Sequence, residues 1–117
     1  YKRQALGNLK KIPPVSVLPH WWSSLTPLPG GWRTSTWFGS FLPHSGGWIY
    51  HSDLGWLLTN SGENNDLWLW SEEQGWLWTA PEIYPYLFQQ SSATWIYFIT
   101  KINGHPRFYD YSTQSVK

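Results

Sequence analysis

The side chains of this 117-residue chain able to move a proton or hold a metal are seven carboxylates and four histidines. The carboxylates are Asp53, Glu63, Asp66, Glu72, Glu73, Glu82 and Asp110; the histidines are His20, His44, His51 and His105. Hydrolysis of a glycosidic bond needs two carboxylates facing each other across a cleft, and no spacing here singles out a pair. Most of the acids fall in expected turns, where a solvated carboxylate is the ordinary outcome. The histidines lack the short repeated spacing of a metal site. With no Cys, thiolate chemistry, thiolate metal centres and disulfides are excluded. Neither a nucleophile elbow nor a phosphate loop occurs. The chain is therefore expected not to be an enzyme and to carry no catalytic residue, metal or cofactor.

What remains is recognition by aromatic side chains. Eleven Trp and seven Tyr are present, and each aromatic ring buries roughly 150–250 Å². A domain of this size has no core large enough for all of them. The aromatics are also patterned. Trp48-Ile49-Tyr50-His51-Ser52-Asp53-Leu54-Gly55-Trp56-Leu57-Leu58-Thr59 is followed twenty residues on by Trp68-Leu69-Trp70-Ser71-Glu72-Glu73-Gln74-Gly75-Trp76-Leu77-Trp78-Thr79. Each copy holds two short period-2 runs joined by polar residues ending in Gly, which marks a β-hairpin whose Gly supplies a positive φ. Further triplets occur at Tyr86-Leu87-Phe88 and Trp95-Ile96-Tyr97, with degenerate forms at Thr36-Trp37-Phe38 and Arg107-Phe108-Tyr109.

Alternate residues of a strand face opposite ways. One sheet face is then Trp48, Tyr50, Trp56, Trp68, Trp70, Trp76, Trp78, Tyr86, Phe88, Trp95 and Tyr97, and the other is Ile49, Leu57, Leu69, Leu77, Leu87 and Ile96. Strands are expected near 36–41, 48–51, 56–59, 67–71, 76–79, 86–89, 94–100 and 107–111, with Asn103-Gly104 as a turn pair. No helical periodicity is present. The expected fold is all-β: an antiparallel up-and-down meander of about seven or eight short strands, forming a small barrel or a strongly curved sheet. The aliphatic face belongs inside and the Trp face outside, covered by the N-terminal loop or another subunit. The period alone also permits the inverse arrangement.

Residues 1–19 read as an extended arm and residues 20–117 as the Trp-rich domain. The arm carries Lys2, Arg3, Lys10 and Lys11, then Ile12-Pro13-Pro14-Val15-Ser16-Val17-Leu18-Pro19. Pro13 and Pro14 favour polyproline II, and Val15, Ser16 and Val17 form a short β-prone core suited to exchange with another chain. A net charge of +1 and a charged fraction of 13% argue against a nucleic-acid partner and favour association. No run of 18 apolar residues exists, so no membrane-spanning helix is expected. A chain beginning at Tyr1 without Met is expected to be processed, by removal of a secretory signal or by trimming.

The Gly-Trp repeats resemble the choline-binding and glucan-binding repeats of bacterial surface proteins. That resemblance implies that aromatics of neighbouring hairpins cage choline or hold a polysaccharide, and it nominates Trp48, Trp56, Trp68 and Trp76. A second resemblance spans roughly residues 31–111. It runs through Trp37-Phe38-Gly39, Gly47-Trp48-Ile49-Tyr50-His51, Gly55-Trp56-Leu57, Leu67-Trp68-Leu69-Trp70, Gly75-Trp76-Leu77-Trp78-Thr79, Tyr84-Pro85-Tyr86-Leu87, Trp95-Ile96-Tyr97-Phe98 and Pro106-Arg107-Phe108-Tyr109-Asp110-Tyr111. It is similar to a Trp-rich module at the C-terminal ends of secreted or cell-surface bacterial proteins, and so implies an extracellular location. The resulting expectation is a secreted structural protein that assembles with copies of itself into a filament, tube or surface layer. Its working residues are Trp48, Tyr50, Trp56, Trp68, Trp70, Trp76, Trp78, Tyr86 and Trp95, with Val15, Ser16 and Val17 as the exchanged arm. The alternative is a carbohydrate-binding or wall-anchoring module that uses the same rings as stacking platforms for a polysaccharide.

Overall fold

The computed structural model describes residues 20–62 and 64–117. The expected all-β meander is what forms, with more strands than expected. Among the described residues, eleven strands make one antiparallel sheet in which each strand pairs with the next in sequence. They are β1 (Thr26–Pro27), β2 (Arg33–Ser35), β3 (Gly39–Pro43), β4 (Trp48–His51), β5 (Gly55–Ser61), β6 (Leu67–Ser71), β7 (Gly75–Thr79), β8 (Tyr86–Gln89), β9 (Thr94–Ile102), β10 (His105–Asp110) and β11 (Ser115–Val116). The first and last strands do not pair with each other, so the sheet is not closed into a barrel. Alternation reveals which residues share a face but carries no information on closure. The added strands β1, β2 and β11 are two or three residues long, too short to show a period.

Of the expected strand at 36–41, residues 39–41 fall in β3, while residues 36–38 form a hairpin turn. Thr36-Trp37-Phe38 imitates the aromatic triplet of a strand, yet the Ser35 Oγ accepts the N–H of Trp37 at 3.3 Å and of Phe38 at 3.1 Å. The chain then reverses at Gly39, where φ is 95°. The same device closes the two predicted hairpins. In the β4–β5 turn the His51 Nδ1 accepts the N–H of Asp53 at 3.0 Å and of Leu54 at 3.1 Å. In the β6–β7 turn the Ser71 Oγ accepts the N–H of Gln74 at 3.1 Å. Gly55 and Gly75 follow at φ 80° and 72°, the left-handed region expected of them. Asn103 and Gly104 join β9 to β10 with φ of 52° and 79°, as a primed two-residue hairpin turn requires.

The aliphatic face is the inside. Ile49, Leu57, Leu69, Leu77, Leu87 and Ile96 are 0–1% exposed, and burying each such side chain is worth about 1.5–3 kcal/mol. Phe38, Phe41, Leu54, Trp22 and Phe108 complete this core, with Trp21, Leu25, Trp37, Tyr84 and Phe98 packed against it. The loop at 20–25 thus covers the aliphatic face, not the aromatic one as expected. Trp21 lies over Phe41 with ring centres 5.1 Å apart and donates its Nε1–H to the Thr59 Oγ1 at 2.9 Å. A large indole with one satisfied polar atom is the chemistry needed to cap an apolar sheet beside a buried hydroxyl.

The long β9–β10 hairpin is bent. Its register shifts at a bulge between Arg107 and Phe108, which sharpens the local twist. Its tip returns to the β4–β5 turn, where the Lys101 Nζ donates to the Ser52 carbonyl at 2.6 Å. Phe108 is carried into the core by this bend.

Candidate functional site: the aromatic outer face

The strand registers gather the outward residues into rows running across the sheet. One row is Leu42, Tyr50 and Trp56, and the next is Trp48, Leu58, Trp70 and Trp76. A third runs Asn60, Trp68, Trp78, Phe88 and Trp95 over five strands. The fourth is Tyr86, Tyr97, Tyr109 and Val116. All nine residues expected to form the working surface lie on this one face. Trp48, Tyr50, Trp68, Trp70, Trp76 and Trp78 are half-buried, whereas Trp56, Tyr86 and Trp95 are exposed. Val15, Ser16 and Val17 lie outside the described residues.

The half-buried rings are hidden by one another. Trp48 meets Trp70 at 84°, Trp68 meets Trp76 at 80°, Phe88 meets Trp95 at 72° and Trp78 meets Trp95 at 66°, all edge to face. This is the arrangement aromatic quadrupoles favour, worth about 0.5–1.5 kcal/mol per pair beyond area burial. The face is therefore a second apolar layer built from side chains alone, and its rings are not coplanar. The Asp66 Oδ2 accepts the Trp78 Nε1–H at 2.8 Å, which ties the β5–β6 connection to this layer. That bond holds the Asp66 carboxyl below the usual carboxylate range.

At one end the layer opens into a shallow, open-sided groove of about 630 Å³ lined by Glu82, Ile83, Tyr86, Trp95 and Tyr111. Tyr86 and Tyr111 stack at 27° with centres 6.3 Å apart. Tyr111 was not among the expected site residues. It follows β10, but its N–H donates to the Trp95 carbonyl at 3.2 Å, which keeps it in line with the row. The sequence signal was the alternation of Tyr109 and Tyr111.

Of the proton-bearing groups, Asp66, Glu82 and His44, whose ring centre lies 4.6 Å from that of Trp56, border this layer, whereas His51 and Asp110 do not. His51 is fully buried on the inner side. Its Nε2 lies 2.6 Å from the Phe38 carbonyl, so with Nδ1 accepting two backbone N–H groups the ring is the neutral tautomer that donates from Nε2. Burial lowers its pKa, against the opposing pull of the Phe38 carbonyl. With both nitrogens engaged, this histidine is a turn-forming core residue. Asp110 accepts from the Ser112 N–H and Oγ at 2.8 and 2.6 Å and pairs with Lys117 at 3.0 Å. These contacts, Ser112 foremost, hold its carboxyl far below the usual range. Asp53, Glu72, Glu73 and Glu82 are exposed, and Glu63 lies outside the described residues. Among the described residues no three His, Asp or Glu side chains converge as a metal site would require, and no helix is long and apolar enough to cross a membrane.

A scan against protein-family models, a search of curated proteins and a search of solved structures each returned no match.

Proposed function

We propose that this chain is a structural subunit that associates with copies of itself through its aromatic outer face, building an extracellular filament, tube or layer. The observation that carries the reading is the continuous aromatic layer across β4–β10, combined with its composition. Trp56, Tyr86, Trp95 and Tyr111 are 52%, 43%, 38% and 47% exposed. Taking a side chain as roughly 200 Å², these four offer about 360 Å². A stable interface needs about 800 Å² per partner, so they act as anchors and the half-buried rings around them supply the remainder. Buried aromatics are the residues that dominate interface energetics. The low charge of the chain removes the repulsion that keeps most small domains apart. An extracellular location follows the resemblance to Trp-rich modules of secreted and surface proteins.

Polysaccharide binding is the second reading, and the groove beside Trp95 favours it: apolar walls with one carboxylate at the rim suit a sugar ring. The edge-to-face packing elsewhere disfavours a flat stacking platform. Electron microscopy of the purified chain beside a panel of polysaccharides separates the two. Ordered polymers without added glycan support self-assembly. Dispersed particles that are retained by a glycan overturn it in favour of carbohydrate binding.

A further inference from the structure

We propose that the groove formed by Glu82, Ile83, Tyr86, Trp95 and Tyr111 receives the segment Ile12–Pro19 of a second copy of this chain. The inference rests on the self-association reading and names the contact that propagates it. Pro-rich extended segments dock in aromatic-lined grooves because Pro fixes their backbone beforehand and little ordering entropy is lost. The groove has this character: two stacked phenol rings, an exposed indole and an aliphatic side wall. Ile12-Pro13-Pro14-Val15-Ser16-Val17-Leu18-Pro19 is the one segment of the chain outside the described domain that is both apolar and Pro-bounded. Eight extended residues span about 25 Å, whereas the width from β8 to β11 is about 14 Å at the usual strand spacing. The segment is long enough to cross the groove.

Charge points the same way. Lys2, Arg3, Lys10 and Lys11 give residues 1–19 a charge of +4 with no acid. Residues 20–117 hold Arg33, Lys101, Arg107 and Lys117 against all seven carboxylates, a balance of −3. Lys10 and Lys11 directly precede the apolar segment, and Glu82 stands at the groove rim. Strand exchange at a sheet edge is the weaker route, since both edge strands are two residues long and offer few backbone groups to an added strand.

Pro19 precedes His20, which stacks on Trp22, and Trp22 is buried beside Phe41 on the inner face. The groove opens on the outer face. An arm passed from one copy to the next is a heterologous contact that need not close, so each subunit can both give and receive.

The absence of Cys permits a direct test in the full chain. Val17→Cys is mixed with Ile83→Cys under mild oxidation, and in parallel with Ser45→Cys, which lies in the β3–β4 connection remote from the groove. The expected result is a disulfide-linked heterodimer formed several-fold more readily with Ile83→Cys. A synthetic peptide of residues 10–20 should suppress it. Glu82→Lys should weaken it most at low ionic strength, where rim charges are least screened. Equal yields with Ile83→Cys and Ser45→Cys, in chains that still sediment as oligomers, overturn the groove assignment and leave self-association standing. Chains that remain monomeric at every concentration overturn both. An internal disulfide in a monomeric chain carrying both Val17→Cys and Ile83→Cys also overturns the proposal, by showing that the arm covers its own groove.

Discussion

Replacing His51 tests the turn chemistry and the electrostatics of the core together. Its imidazole accepts from the N–H groups of Asp53 and Leu54 and donates to the Phe38 carbonyl. His51→Ala leaves these groups without a partner and opens a cavity among Phe38, Phe41 and Tyr84. A buried unsatisfied group costs about 1–3 kcal/mol, so with the cavity the expected loss is about 3–5 kcal/mol. His51→Ser restores the acceptor that Ser35 and Ser71 provide in the sister turns and should recover about 1 kcal/mol of that loss. The pH dependence carries its own sign. The folded pKa of His51 is depressed by burial, so its contribution is fully present above the unfolded value near 6.5. As pH falls below that value the unfolded state takes up a proton that the folded state excludes. Stability then declines by up to about 1.4 kcal/mol per pH unit until the folded pKa is passed. Urea melts from pH 7.5 to 5 should show this slope in the natural chain and a smaller one in His51→Ser. The depressed carboxylates Asp66 and Asp110 change protonation only below about pH 4, outside that window. Equal slopes in the two proteins would refute the assignment of His51 as a neutral, proton-excluding core residue.

Gly55→Val and Gly75→Val place a β-branched residue at a left-handed position with no side-chain neighbour nearby. Each should cost more than about 1 kcal/mol through backbone strain alone, read as a lowered thermal midpoint; unchanged melts would remove the turn assignment. Leu77→Ala, at 1% exposure, should lose about 2–5 kcal/mol of stability, while its neighbour Trp76→Ala should weaken assembly more than folding. Equal stability losses, with assembly unchanged in Trp76→Ala, would assign the outer layer to the fold alone. Asp110→Asn removes the charge that Ser112 and Lys117 stabilise. The natural chain should therefore lose stability as pH falls below about 4, and Asp110→Asn should be flatter over the same range in acid melts.

The stretch from Trp48 to Thr79 was legible because three signals coincide there: a twofold repeat, strict alternation and a Gly at each turn. The assignment of Ile49, Leu57, Leu69, Leu77, Leu87 and Ile96 to one face followed from the period alone. The region before it was harder. Thr36-Trp37-Phe38 carries strand-like residues in a turn, and the informative pattern is the Ser35 to Gly39 spacing, which matches His51 to Gly55 and Ser71 to Gly75. Closure was not legible, because a strand's alternation is the same in an open sheet and in a barrel. Nor was the cover of the inner face. Trp21 and Trp22 are adjacent in an irregular loop, where no period shows which ring turns inward. Of the groove, Tyr86 and Trp95 are marked by their triplets and Tyr111 by its alternation with Tyr109 in the expected strand 107–111, while Glu82 and Ile83 come from a connection whose path only the folded chain reveals.

The most direct measurement of the central claim is sedimentation velocity over a wide concentration range, comparing the natural chain with Trp56→Ser/Trp95→Ser. Both indoles are substantially exposed, but each packs edge to face or tilted on neighbouring rings, so the double variant should melt lower by about 0.5–1.5 kcal/mol for each aromatic pair lost while staying folded at the temperature of the assay. The natural chain should sediment as species heavier than its 13.7 kDa subunit, growing with concentration, and the double variant should fall back to the monomer. A natural chain that remains a 13.7 kDa monomer throughout, or a double variant that assembles as well as the natural chain, would contradict the aromatic face as the surface of self-association.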